Sequence, residues 1–187
     1  MKILLHACCA PCVTVPVKRL SKLFMTDVFF YNPNISSGEE YILRQKEIIE
    51  LGRRWKFPVQ SGLYEYEKWK KQVRGMENEP ERGKRCQICI RMRLKQTAET
   101  AKAGKYDVFT TTLTLSPLKD ASMINRIGQE VAEQIGIEFL VSDFKKRDGF
   151  KQSIEYSRQE NLYRQDFCGC QYSRKSGRHG PVRTRRS

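Results

Sequence analysis

Short apolar segments alternate with amphipathic ones along most of this chain, and this alternation limits its fold more than any other feature. Five segments have the length and the β-branched or aromatic content of buried strands: KILLHA, DVFFYNPNI, FPVQSGL, DVFTTTLTL and IEFLVSDF. Between them, helical spacing of apolar residues predicts helices over residues 13–24, 37–55, 64–74, 86–103 and 123–135. This order predicts an α/β fold, with a parallel sheet covered by helices on both faces. The chain has 187 residues, enough for one such domain over residues 1–173.

The charge of the chain limits its partners. There are 35 Lys+Arg against 21 Asp+Glu, a formal net charge of +14, which favours a polyanionic partner such as nucleic acid. Residues 174–187 contain no acidic side chain, and we predict a mobile basic tail that adds nonspecific attraction to phosphates, or a merely disordered end. No stretch approaches the roughly 20 apolar residues of a membrane span, so we expect a cytoplasmic protein without membrane contact.

The seven cysteines fall into three tight clusters. In a reducing cytosol, cysteines are more often metal ligands or redox-active thiols than disulfide staples. Parallel sheets place their functional crevice at the carboxyl ends of the strands, where the first cluster lies. The clusters are Cys8, Cys9 and Cys12, then Cys86 and Cys89, then Cys168 and Cys170.

The first two clusters together predict a metal site. Cys86 and Cys89 lie one turn apart at the start of a helix, so both thiolates can point the same way. With Cys8 and Cys9 they supply four sulfurs, the usual complement of a structural zinc or of a 4Fe-4S cluster. The adjacent pair is unlike a zinc knuckle, which favours iron and sulfide without excluding zinc. Cys12 is either a fifth thiol near the site or a buried side chain of the first helix.

The third cluster, DFCGC, predicts a different chemistry. A disulfide between Cys168 and Cys170 requires a tight bend, which Gly169 permits. A bond closed so tightly is strained and easily reduced, which suits a two-electron exchange site. The alternative is that both sulfurs bind a second metal.

Five segments, in this order between residue 4 and about residue 173, resemble the QueH-type epoxyqueuosine reductase family: LHACCAPC, CQIC, TTLTLSPLK, SDFKK and LYRQDFCGCQYS. The resemblance implies an oxidoreductase that converts the epoxide of epoxyqueuosine to the alkene of queuosine at the tRNA wobble position, the last step of queuosine biosynthesis. It also implies an adenine nucleotide α-hydrolase-like (PP-loop) fold and, in some members, a second mononuclear iron. The matching functional positions are Cys8, Cys9, Cys86 and Cys89 for a 4Fe-4S cluster, and Cys168 and Cys170 for a redox-active pair.

One segment departs from the PP-loop pattern. The turn after the first strand is CCAPC, which lacks the glycines of a phosphate-binding loop, and Pro11 contributes no N–H. We therefore expect no use of ATP.

Removal of an epoxide oxygen needs two electrons and two protons, so a one-electron cluster requires a second redox store. Our hypothesis is that the cluster relays electrons from an external donor, such as a ferredoxin-like protein, while Cys168 and Cys170 supply or buffer the second electron. Basic residues near the cluster helix are candidates for holding anticodon phosphates, and aromatic residues near the third cluster are candidates for stacking on an extruded base. These substrate-binding candidates are Arg85, Arg91, Arg93, Tyr163 and Phe167.

Two other functions remain open at this point. One is a zinc-stabilised nucleic-acid-binding module without catalysis, and the other is a cytosolic thiol-disulfide exchange protein. The DFCGC motif argues against the first, because a passive zinc module has no use for a labile dithiol.

Overall fold

Five parallel strands form the sheet around which the chain folds. The computed structural model describes residues 1–176, and its strands are β1 (Lys2–Ala7), β2 (Met25–Phe30), β3 (Val59–Ser61), β4 (Val108–Thr111) and β5 (Glu138–Phe139). They lie in the order β3-β2-β1-β4-β5, and every pairing is parallel. The sheet order therefore reverses direction between β1 and β4, and the crevice at their carboxyl ends is the expected place for a site.

Helices cover both faces of this sheet. They are α1 (Ala10–Leu20), α2 (Gly38–Trp55), α3 (Tyr66–Gln72), α4 (Lys84–Ala103), α5 (Ala121–Ile135) and α6 (Gly149–Gln159), with 3-10 helices at Thr112–Leu115 and Gln171–Ser176. Successive side chains of β1 alternate between faces: Ile3 and Leu5 pack with α1, α2 and α6, whereas Leu4 packs with α4 and α5. Burial on both faces explains why this strand reads as a continuous apolar run, and it confirms the predicted α/β class.

Short polar side chains cap the first turns of helices α2 and α5. Ser37 Oγ accepts the N–H of Glu40 at the start of α2, and Asp120 accepts the N–H of Ser122 at the start of α5. Helix α1 begins at Ala10, three residues earlier than predicted, because the sulfur of Cys9 takes the N-cap position. Helix α6 was not predicted at all.

Of the predicted basic tail, only the first residues belong to the described part of the chain. Residues 174–176 complete the second 3-10 helix, and the rest of the tail lies outside the described residues. Among residues 1–176, no helix combines the length and hydropathy that crossing a membrane requires.

Candidate redox and metal site

Six of the seven cysteines line a cavity of about 230 Å³ at the carboxyl edge of the sheet: Cys8, Cys12, Cys86, Cys89, Cys168 and Cys170. The cavity lies where β1 and β4 end, at the reversal of the sheet order. The fold therefore brings all three cysteine clusters, which are distant along the chain, to one place.

The CCAPC turn packs three sulfurs together. The sulfurs of Cys8, Cys9 and Cys12 all lie within 4.8 Å of one another. Cys9 is 1% exposed and forms a disulfide with Cys12, their Cα atoms 5.3 Å apart. Sequence reasoning left Cys12 outside the metal site and did not anticipate this bond. Cys9 can therefore act as a metal ligand only when its bond to Cys12 is reduced, since a ligating cysteine must be a thiolate.

The first turns of α4 place the CQIC cysteines at the cavity. Cys86 Sγ accepts the backbone N–H of Arg82 at 3.3 Å, which joins the helix start to the preceding loop. That loop is fixed from inside by Arg85, which is 3% exposed. One guanidinium nitrogen of Arg85 donates to three loop carbonyls, those of Met76, Glu77 and Glu79.

The CGC bend depends on its glycine. Gly169 has a φ of +100°, in the region that side chains rarely allow. Its carbonyl accepts the N–H of Ser36 at 2.9 Å, and Arg44 donates to the carbonyls of Phe167 and Cys168. Arg44 is 1% exposed and pairs with Glu40 at 2.6 Å, so the segment before the bend rests on a buried, neutralised cation.

The two thiols of the bend are electrostatically unequal. Both are free. Hydrogen bonding with Cys170 holds the pKa of Cys168 well below its usual range, while hydrogen bonding with Cys168 and burial raise the pKa of Cys170. The pair is therefore arranged as a thiolate at Cys168 beside a protonated thiol at Cys170.

A fixed positive charge lies inside the protein next to the thiols. Arg93 is 3% exposed and donates to Asn32 Oδ1 at 2.6 Å and to His6 Nε2 at 3.3 Å, and within residues 1–176 it forms no salt bridge. Burial raises the pKa of Cys89, and the charge of Arg93 opposes that rise. Burial and the same cation keep the pKa of His6 well below its ordinary value, so His6 is neutral and is unsuited to donate a proton.

Buried polar atoms without a partner are concentrated at this cavity. Within the described part of the chain there are three such side-chain atoms, and all belong to residues that line it: Asn34 Oδ1, Trp69 Nε1 and Gln165 Oε1. Each costs roughly 1–3 kcal/mol when nothing pairs with it. Their concentration indicates a site that binds a polar or charged group.

The predicted substrate-binding residues are mostly engaged with their own chain. Arg85 and Arg93 are interior, as described above, and Arg91 pairs with Glu130 of α5. The hydroxyl of Tyr163 donates to Glu40 at 2.9 Å, and burial and that carboxylate raise its pKa to about 12. Phe167 is buried beneath the guanidinium of Arg44. Their roles in RNA binding stay predictions, and no sequence signal indicated their internal contacts.

The similarity of this chain to known proteins agrees with a redox role for its cysteines. The family model described as "Epoxyqueuosine reductase QueH" matches residues 3–176. The curated protein of that name from Histophilus somni is 38% identical over 92% of this chain and 72% of its own length, and the one from Thermotoga maritima is 33% identical over 91% and 89%. The Streptococcus pyogenes protein is 38% identical over 92% and 70%.

A solved structure supports the fold alone. The "predicted subunit of tRNA methyltransferase" from Methanocaldococcus jannaschii aligns with a TM-score of 0.53 at 11% identity, over 85% of this chain and 76% of that one. With the sheet order described above, this similarity agrees with the expected adenine nucleotide α-hydrolase-like architecture. It carries no argument about activity.

Proposed function

Since this chain belongs to the QueH family of epoxyqueuosine reductases, we propose that it reduces the epoxide of epoxyqueuosine in tRNA to the alkene of queuosine. The family makes it an oxidoreductase of queuosine biosynthesis. The observation that carries the proposal is the convergence of three cysteine clusters in one cavity, because a reductive step needs a store of electrons beside the substrate. tRNA is a cytoplasmic substrate, and we place the enzyme there.

The thiols and the buried cation at the cavity support a 4Fe-4S cluster. Thiolates are the ligands of such clusters, and a cluster with four thiolates is an anion. The buried cation of Arg93 and the unpaired N–H of Trp69 are groups that stabilise an anion. When bound, the cluster supplies electrons one at a time. Its proposed ligands are Cys8, Cys9, Cys86 and Cys89, which leaves Cys12 as a thiol for the second, mononuclear iron.

The Cys168–Cys170 pair balances the reaction. Conversion of an epoxide to an alkene breaks two C–O bonds, consumes two electrons and two protons and releases water. Oxidation of the Cys168 thiolate and the Cys170 thiol to a disulfide releases the two electrons and one of the two protons, and solvent supplies the other proton. The pair thus completes one turnover as it closes to a disulfide, and an external donor, such as a ferredoxin-like protein, reduces it again. The left-handed bend at Gly169 supports this step, because a disulfide between cysteines two residues apart requires a tight bend.

Cations at the cavity mouth support an RNA substrate. Arg82 is exposed and Lys119 is half-buried, and both line the cavity. The formal net charge of +14 adds a general attraction to phosphates. A base extruded from an anticodon loop could then enter the cavity while its flanking phosphates stay at the mouth.

The decisive experiment is nucleoside analysis by mass spectrometry. The anaerobically reconstituted protein is incubated with a reductant and tRNA that carries epoxyqueuosine, and the nucleoside is expected to lose the mass of one oxygen atom. A variant with serine at positions 168 and 170 is expected to leave the nucleoside unchanged, because it lacks the pair that supplies the two electrons. Iron-loaded protein that leaves the nucleoside unchanged would refute the proposal. A colourless, zinc-containing protein would instead support a nucleic-acid-binding module.

A further inference from the structure

The side chain of Asn34 has one polar atom paired and one left over. Asn34 follows strand β2, lines the cavity and is 1% exposed. Its Nδ2 donates to the carbonyl of Cys168 at 3.0 Å, while its Oδ1 is buried without a partner. The nitrogen of this amide therefore already has a structural role, whereas its oxygen has none among residues 1–176.

The orientation of this amide is fixed by its neighbour. Turning an amide over exchanges its nitrogen and its oxygen, but the carbonyl of Cys168 can only accept a hydrogen bond. A turned amide would place two acceptors 3.0 Å apart, so the unpaired atom has to be the oxygen. The amide of Gln165 is not fixed in this way, because its nitrogen lies 3.8 Å from the sulfur of Cys12, which is a weak acceptor. Asn34 is thus the one of these two amides whose unpaired acceptor is determined by the geometry.

The missing partner of Asn34 Oδ1 is a hydrogen-bond donor. Since Asn34 is closed to bulk solvent, a donor that reaches the oxygen has to come through the cavity. Arginine and lysine side chains outnumber carboxylates among the residues that line the cavity, which disfavours a cationic donor and favours a neutral one. Asn34 is bonded through its own nitrogen to Cys168, so the donor binds beside the proposed redox pair.

We propose that Asn34 Oδ1 accepts a hydrogen bond from a hydroxyl group on the cyclopentane ring that carries the epoxide of the substrate. The inference rests on the proposed function, in which that ring enters the cavity. Epoxyqueuosine has two neighbouring hydroxyls on this ring, and one of them is on the carbon next to the epoxide. Binding of that hydroxyl beside Cys168 places the epoxide next to the pair that supplies its electrons.

This contact also makes Asn34 a specificity-determining residue. An unmodified guanine has no such ring, so its entry leaves the buried oxygen unpaired. A site built to bind a hydroxyl rejects an analogue without one for this reason.

The test measures the binding of two tRNAs that differ only in the wobble nucleoside, one with queuosine and one with guanosine. Queuosine keeps both hydroxyls and is not consumed, so the ratio of the two dissociation constants is an equilibrium quantity. The reconstituted wild type is compared with Asn34→Ala and with Ser36→Ala. Ser36→Ala is the matched control, because Ser36 Oγ donates to the carbonyl of Gly169 at 3.2 Å in the same bend but does not line the cavity. We expect the preference for queuosine tRNA to fall roughly 2- to 10-fold in Asn34→Ala, the effect of one lost hydrogen bond, and to keep its wild-type value in Ser36→Ala.

Equal binding of the two tRNAs by the wild type, an unchanged preference in Asn34→Ala, or an equal fall in Ser36→Ala would overturn the inference. If Asn34→Ala does not fold, the wild type is tested with both tRNAs after periodate treatment. Periodate cleaves neighbouring hydroxyls, so it removes the ring diol from the queuosine tRNA and cleaves the terminal ribose of both tRNAs alike. A preference that survives this treatment overturns the inference. Wild-type protein that leaves epoxyqueuosine unreduced contradicts the proposed function itself, so the two failures are distinguishable.

Discussion

Replacement of Gly169 by alanine tests the bend between Cys168 and Cys170 directly. The φ of +100° at this position is one that side chains rarely adopt. An added Cβ would lie 2.7 Å from Ile35 Cγ1 and 3.2 Å from Ile35 Cα. The Cα atom belongs to the backbone and cannot rotate away, so the CGC segment itself has to move. We expect both lower stability and separation of the two sulfurs.

Two contributions lower the free energy of unfolding of Gly169→Ala. A left-handed backbone costs about 1–2 kcal/mol for a residue with a side chain. Overpacking in a close-packed region adds about 1–3 kcal/mol, so the free energy of unfolding is expected to fall by roughly 2–5 kcal/mol. Gly75→Ala is the matched control, because Gly75 has a φ of +80° and no atom within 4 Å of the added Cβ. It carries only the backbone cost.

Two measurements test whether Gly169 is required for stability and for the approach of the two sulfurs. Urea unfolding of the wild type and both variants, followed by circular dichroism, gives the two losses of stability. Formation of the Cys168–Cys170 disulfide under a mild oxidant, followed by peptide mass spectrometry, is expected to slow in Gly169→Ala and to stay at the wild-type rate in Gly75→Ala. Equal destabilisation in the two variants, with the same rate of disulfide formation, would refute the reasoning.

Serine at position 9 is expected to lower the acid-labile sulfide content of the reconstituted protein, whereas serine at position 12 is not, because only Cys9 belongs to the proposed 4Fe-4S ligand set. Equal sulfide contents in the two variants would remove Cys9 from that set. In a variant with alanine at both Arg82 and Lys119, the logarithm of the tRNA association constant is expected to fall less steeply with the logarithm of the salt concentration. The slope decreases by up to about two units, one for each lost phosphate contact. An unchanged slope would show that these cations do not touch phosphates. Burial and a carboxylate partner raise the pKa of Tyr106 from 10.0 to about 12, so its stabilising contribution is complete below pH 10 and is lost as the pH rises toward 12. In urea unfolding measured at a series of pH values, Tyr106→Phe is therefore expected to lose less stability between pH 10 and pH 12 than the wild type. Equal losses of stability in the two proteins would contradict the raised pKa of Tyr106.

The central sheet was predictable because its strands are buried on both faces and read as apolar runs. Its edges were not. Strand β5 contains only Glu138–Phe139, since the chain leaves the sheet soon after its pairing with β4. Strand β4 ends at Thr111, earlier than the apolar pattern suggested, because the hydroxyl of Thr111 accepts the N–H of Leu113 and turns the chain into a 3-10 helix. A local hydrogen bond of this kind leaves no trace in hydrophobic periodicity.

The cysteines of the candidate site could be found from their spacing, but their surroundings could not. Two cysteines three residues apart at a helix start can pair with each other or with a metal, so the bond between Cys9 and Cys12 had no sequence signal. From the sequence, Arg85 and Arg93 are candidates for holding anticodon phosphates. Arg93 is interior because acceptors distant along the chain, on Asn32 and His6, meet it in the folded protein.

The direction of the central strand has a practical consequence for electrochemistry. Met1 is 70% exposed, at the end of β1 opposite to the cysteines. Strand β1 has 6 residues, and at about 3.3 Å per residue it spans roughly 20 Å. A protein film attached to an electrode through its N-terminus would hold the sulfur-rich edge on the far side, where tunnelling from the electrode is slow. Attachment sites for voltammetry therefore belong on the loops around the cavity mouth.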